Sequence, residues 1–203
     1  ARQRRTVADL LLRGGRIATP HHELAHADAL LRDEFTARPA PGGGHRLSGR
    51  GNAAVNAGRA DAHVVYARTG PARGPHSHSV LLLEPGRLPA GAWHRLPRAA
   101  TRGMRGVLFS GLEFHDCPVP EEALVGRPGE GAALALRISQ VDRGLICGAL
   151  TAAADTVLHS AVRAATTGRG GPVARRWLGP LAGAFADLLA CDSMATVALR
   201  ALG

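Results

Sequence analysis

Four groups of residues have the types and spacing for chemistry. His22, Glu23 and His26 form a His-Glu-x-x-His run. On a helix that spacing puts both imidazoles on one face, where they hold zinc while the glutamate acts as general base. Asp33, seven residues past His26, offers a third ligand. Pro20 lies just before the run, so the competing reading is a polar loop with a hydrogen-bonded histidine pair. His76 and His78, flanked by Ser77 and Ser79, follow a Gly/Pro loop and read as a solvent-facing strand start. Asp116 beside Cys117 has the form of a nucleophile with a charge partner, but no histidine follows in a useful context and a proline corner is a poor cradle. Asp142 and Arg143 are neighbours in a helical stretch. Adjacent side chains on a helix point apart, so the pair predicts that one of them faces a ligand or another chain.

The elements that must position these groups are legible in outline. Val107, Phe109 and Phe114 sit in a β-rich run, with Pro118 and Pro120 expected to end it because they cannot donate to a ladder. Gly126, Pro128 and Gly129-Glu130-Gly131 turn the chain into an Ala/Leu/Ile run of helical period, 132–166. A Gly/Pro break at 168–172 precedes a second helix from about Val173 to the end. Upstream, 35–38, 45–50, 63–68 and 79–84 are short β-rich runs separated by Gly/Pro turns. Thr6–Leu12 reads as helix stopped by Gly14-Gly15, and 17–31 as loop or short helix. The fold class is therefore α+β: a helical remnant over 1–32, an antiparallel β-barrel domain of five to seven strands over 33–128, and part of a helical bundle over 129–203. The second helix has nothing to pack its far face against, which predicts further helices from the same protein or a partner.

Composition narrows the function classes. In 203 residues the formal charge is +9, and every one of the 25 basic residues is arginine. Together with 26 glycines and abundant alanine, this reads as codon bias in a GC-rich genome. The arginines are scattered and only 3% of residues are aromatic, so nucleic-acid binding is not expected. A small anionic ligand carrying phosphates uses the charge better. Three distant cysteines, Cys117, Cys147 and Cys191, form no metal pair and no disulfide framework, which fits a reducing cytoplasm. No apolar run was long enough to predict a membrane span, and the chain reads as beginning within a domain.

Gly103-Met104-Arg105-Gly106, Leu112 to Pro120, Gly126, Gly129, Gly131 and Asp142-Arg143 together resemble the acyl-CoA dehydrogenase family. Leu47-Ser48-Gly49-Arg50 and Asn56-Ala57-Gly58-Arg59-Ala60-Asp61 are similar to its central β-domain motif, and 22–28 to its flavin loop. The resemblance covers about residues 17 to 165. It implies a helical domain, a middle β-domain and a C-terminal four-helix bundle, with the stretch from Gly103 to Arg143 joining the last two. It also implies FAD and oxidation of an acyl thioester, bound to CoA or a carrier protein, to its α,β-enoyl form. Some relatives use the same fold and cofactor for oxygenation.

In that family a glutamate removes the α-proton, and the resemblance puts this base beyond Gly203. By the same resemblance His22, Ala54, Val55, Asn56 and Arg169 are the cofactor contacts, with Asp142 and Arg143 toward substrate. A homodimer or homotetramer is implied, with the electron acceptor open. The departures are specific. Ala53 stands where the family has a flavin-stacking Trp, Val55 where it has Thr, and His22 where it has the loop Thr. The loop serine is replaced near Ala27-Asp28, and Leu145 stands for the second helix Arg. The pyrophosphate element is reduced to 168–171 around Arg169. Asn56 is kept, and backbone N–H groups at Val55 and Asn56 remain as contacts. These losses favour an alternative class, a flavin-free partner subunit. A zinc hydrolase at His22, Glu23 and His26 is the third class.

Overall fold

The computed structural model describes residues 2–19, 35–71, 74, 76–100, 106–167 and 171–202. The chain divides into two compact units, Ala1–Ala135 and Leu136–Gly203. The division falls within a helix, a few residues past the boundary expected at 128/129.

The first unit opens with α1 (Arg2–Leu12). Its end is a glycine cap: the N–H groups of Gly14 and Gly15 donate to Leu11 and Leu10 carbonyls, and Gly14 takes φ +75°. Eight strands follow: β1 (Ile17–Ala18), β2 (Phe35–Pro39), β3 (His45–Val55), β4 (Ala62–Arg68), β5 (His78–Leu83), β6 (Trp93–Arg95), β7 (Phe109–Val119) and β8 (Leu124–Val125). They form one sheet in the order β6-β7-β3-β2-β4-β5-β8, with β1 paired to β4. The sheet is mostly antiparallel, but β4 pairs in parallel with both β1 and β2.

Period-two alternation builds the core. Phe35 and Ala37, Leu47, Val65 and Ala67, Leu81 and Leu83, Leu112, Phe114 and Val119 all point into one cluster. The sheet must curl for this to happen. Phe35 of β2 meets Phe114 of β7 edge-on at 5.8 Å, and His63 of β4 meets Trp93 of β6 at 6.2 Å although three strands separate β4 from β6. The edge-on pair contributes about 0.5–1.5 kcal/mol beyond its burial.

Two sequence expectations change here. β7 does not stop before Pro118; it runs on to Val119, with Pro118 opposite Arg46. β6 covers β7 only over Leu112–Phe114, so the far stretch of β7 has an open flank where a prolyl nitrogen is tolerated. The two residues of β1, the two of β8 and the three of β6 carry too little alternation to be expected from sequence.

The second unit is a helical hairpin. α2 (Gly131–Thr167) begins in the first unit and continues into the second; α3 (Gly171–Leu202) follows. Pro180 lies inside α3 without ending it, at the loss of one ladder bond. A side chain at Gly144 would meet Leu199 Cδ2 at 2.6 Å, so glycine sets how closely the two helices approach there. Both helices are apolar around most of their circumference. The expectation that no run reaches spanning length is corrected. Gly131–Thr167 and Arg176–Ala201 each hold an 18-residue stretch, of mean hydropathy 1.5 and 1.4, that carries at most two charged residues. Length and composition alone set that test.

Candidate functional site

The end of β3 is held by a lattice of short contacts. β3 carries an irregularity between Gly51 and Ala54, after which Ala54 pairs Ser110 and Val55 pairs Phe109. Asn56 then takes the left-handed conformation, φ 60°, and starts a single 3-10 turn over Ala57–Arg59. Its backbone N–H donates to the Leu108 carbonyl at 2.6 Å, and its Oδ1 accepts the Leu108 N–H at 3.3 Å. Gly58 N–H donates to Ser110 Oγ at 2.9 Å, and a Cβ there would strike Leu108 Cδ2 at 2.8 Å. The turn is thus clamped to the strand beside it. Ala54 faces the core, whereas Val55 is 46% exposed. The side chain of Ala53 lies outside those described, as do His22 and Arg169. Of the expected cofactor contacts, the structure therefore brings together Ala54, Val55 and Asn56 alone. Val55 presents an apolar surface, while the Asn56 N–H and side-chain oxygen are already used within the sheet.

A second constellation forms where β5 begins and α2 starts. Gly129 N–H donates to Ser79 Oγ at 3.0 Å, and Ser79 Oγ lies 2.6 Å from Thr69 Oγ1. Glu130 Oε2 accepts the Arg127 N–H at 2.8 Å and so closes the turn that leads into α2. Gly131 packs on the β5 backbone so tightly that a Cβ would sit 2.6 Å from the His78 carbonyl oxygen. His76 is exposed as expected, but His78 is buried, with Nδ1 2.8 Å from Ser77 Oγ. Tyr66, Val80 and Ala135 close a small cluster here, and burial pushes the Tyr66 phenol up to about 12.

Asp116 and Cys117 do not make a nucleophile. Asp116 is an exposed bulge residue at φ 44°, its N–H donating to Ser48 Oγ at 3.0 Å and its carboxylate 3.4 Å from Arg46. Cys117 points the other way, into the core. Burial raises its thiol pKa and the Asp116 charge adds to that, with Arg46 acting in the opposite sense. Among the described residues no group of three His, Cys, Asp or Glu side chains can hold a metal ion. The His22-Glu23-x-x-His26 run lies outside them.

In the hairpin, Asp142 and Arg143 are both exposed on α2. Ala153, Ala154, Val157, Leu158, Leu181 and Leu188 line an apolar groove between the helices. A second groove mixes Thr151, Asp155 and Asp192 with Phe185 and Leu189. Sequence reasoning missed His63, a fully buried histidine of β4; its only signal was its place in the Val65, Ala67 alternation.

Solved structures share this arrangement of sheet and helices. Butyryl-CoA dehydrogenase from Megasphaera elsdenii superposes with a TM-score of 0.74 at 20% identity, over 93% of this chain and 49% of its own. The chain has the acyl-CoA dehydrogenase fold. An acyl-CoA dehydrogenase complexed with FAD from Bacillus anthracis gives 0.75 at 24% identity, over 88% of this chain and 31% of that one. PigA with FAD and proline gives 0.78 at 20% identity, over 93% and 49%. The chain spans about half the length, or less, of these acyl-CoA dehydrogenase-fold structures. No protein-family model and no curated protein matches its sequence.

Proposed function

We propose that this chain is the central part of an FAD-dependent dehydrogenase that oxidises an acyl thioester, carried on CoA or a carrier protein, to its α,β-enoyl form. The observation that carries the reading is the shared fold with structures named as acyl-CoA dehydrogenases over about nine-tenths of the chain. FAD, when bound, would supply the hydride acceptor. This chain's part is to shape the sites. Val55 offers an apolar contact at the end of β3, with the clamped Asn56 turn fixing its position. Arg169 would neutralise a pyrophosphate, His22 would stand in the loop, and Asp142 or Arg143 would meet the substrate. The general base is not assigned within the 203 residues. We place the enzyme in the cytoplasm as a homodimer or homotetramer.

A specific observation favours a second reading, a flavin-free partner subunit. The Asn56 backbone N–H and side-chain Oδ1 are spent on Leu108, and Val55 cannot donate a side-chain hydrogen bond. The absorbance spectrum of the purified protein separates the two. The dehydrogenase reading expects flavin bands, or their appearance on adding FAD, and weaker FAD retention in Arg169→Ala. A colourless protein that takes up no added FAD overturns it in favour of the partner subunit.

A further inference from the structure

We propose that His63 is an acid-sensitive latch: its uncharged imidazole keeps β6 seated against the barrel interior, and taking up a proton releases β6 before the rest of the barrel opens. His63 has 0% of its surface exposed, and neither ring nitrogen has a hydrogen-bond partner among the described residues. A buried polar group in that state calls for a physical explanation. One side of the ring is met by Trp93 of β6, edge-on at 6.2 Å. Among the described residues, no carboxylate acts on it to offset a positive charge. β1 contributes Ala18 opposite His63, and β5 contributes Leu83. β6 contributes Arg95, which lies 5.3 Å from the Trp93 ring centre and carries the same sign of charge as protonated histidine. The carboxylates nearby in sequence are engaged elsewhere: Asp61 accepts the Arg16 N–H, and Glu84 pairs with Arg87 at 3.3 Å. His94, Glu113 and His115 form their own cluster from alternate positions of β6 and β7, with both histidines exposed. Burial first, and the Arg95 charge second, hold His63 down to about 4.

A proton forced onto His63 must therefore be accommodated by movement, and β6 is the element that can move. It has three residues, stands at the end of the sheet, and pairs with β7 alone. Lifting it uncovers the ring to water. In the open form the histidine regains its ordinary pKa of about 6.5. The open form then binds more protons than the closed one, so closure is complete above about pH 6.5 and weakens as pH falls. The opening constant grows up to tenfold per pH unit below about pH 6.5 and levels off at about 300-fold below about pH 4.

Trp93 and Trp177 are the two tryptophans, so Trp177→Phe leaves Trp93 as a reporter inside the latch. Between pH 7 and 4.5 its partly shielded emission should become more accessible to acrylamide while far-UV circular dichroism stays unchanged, and His63→Leu should abolish the change. A Trp93 transition that coincides with loss of circular dichroism, or that persists in His63→Leu, overturns the proposal. If His63→Leu does not fold, hydrogen exchange on the unaltered chain decides. The Leu96 and Ala99 amides, which donate to Gly111 and Phe109, should lose about 40-fold of their protection from pH 6.5 to 4.5 while β4 and β5 keep theirs. Equal loss across the sheet would rule the latch out.

Discussion

The barrel and the hairpin use similar side chains to opposite ends. In the barrel, Leu47, Leu81, Leu112 and Phe114 are sealed, with at most 1% of their surface exposed. In the hairpin, Phe185 is 53% and Val157 69% exposed. Strand alternation sorts residues onto two faces, and a curled sheet buries one of them completely. Two helices that are apolar around most of their circumference touch along one seam and leave the rest open. The barrel is thus a finished core, whereas the hairpin holds apolar surface that its own two helices do not cover.

The sharpest test of that contrast is a pair of truncations. Phe114→Ala should destabilise the chain by about 3–5 kcal/mol in urea unfolding, because the cavity opens within a closed cluster. Phe185→Ala should lose well under 1 kcal/mol, since half of its ring is already in water. Equal losses would erase the distinction. A smaller effect is expected at the start of α2. Gly131→Ala drives a methyl group into the His78 carbonyl, and about 1–2 kcal/mol should be lost in thermal unfolding despite alanine's better helix propensity. The smallest stability change, within about 0.5 kcal/mol, belongs to Val157→Ser. Its signature is in light scattering instead, where self-association of the chain should fall.

How far the sequence could be read follows the same divide. Phe35, Leu47 and Phe114 announce their strands by alternating with polar neighbours, and Val65 and Leu81 announce theirs by lying in short apolar, β-rich runs. β1, β6 and β8 are too short to show a period and exist because longer strands offer them an edge. Pro118 misleads since its effect depends on whether a neighbour flanks it, which no local pattern contains. The helices were legible from their Ala/Leu period and Gly/Pro break, but their spanning-length apolar windows were not recognised, because scattered arginines and aspartates masked them. At the candidate site, the Asn56 motif was visible while its engagement with Leu108, fifty-two residues away, was not. His63, one of ten histidines, carries no signal beyond its place in step with Val65 and Ala67, since its role comes from Trp93 reaching across the barrel.

The placement of the three thiols has a kinetic consequence. Cys147 and Cys191 are exposed on the hairpin, and Cys117 is sealed between β7 and the barrel interior. A thiol reagent added to the native chain therefore consumes two equivalents at the speed of the reagent. The third equivalent is consumed only as fast as the barrel exposes Cys117. The chain carries a built-in clock for its own breathing, in which the third step times barrel opening without any added probe.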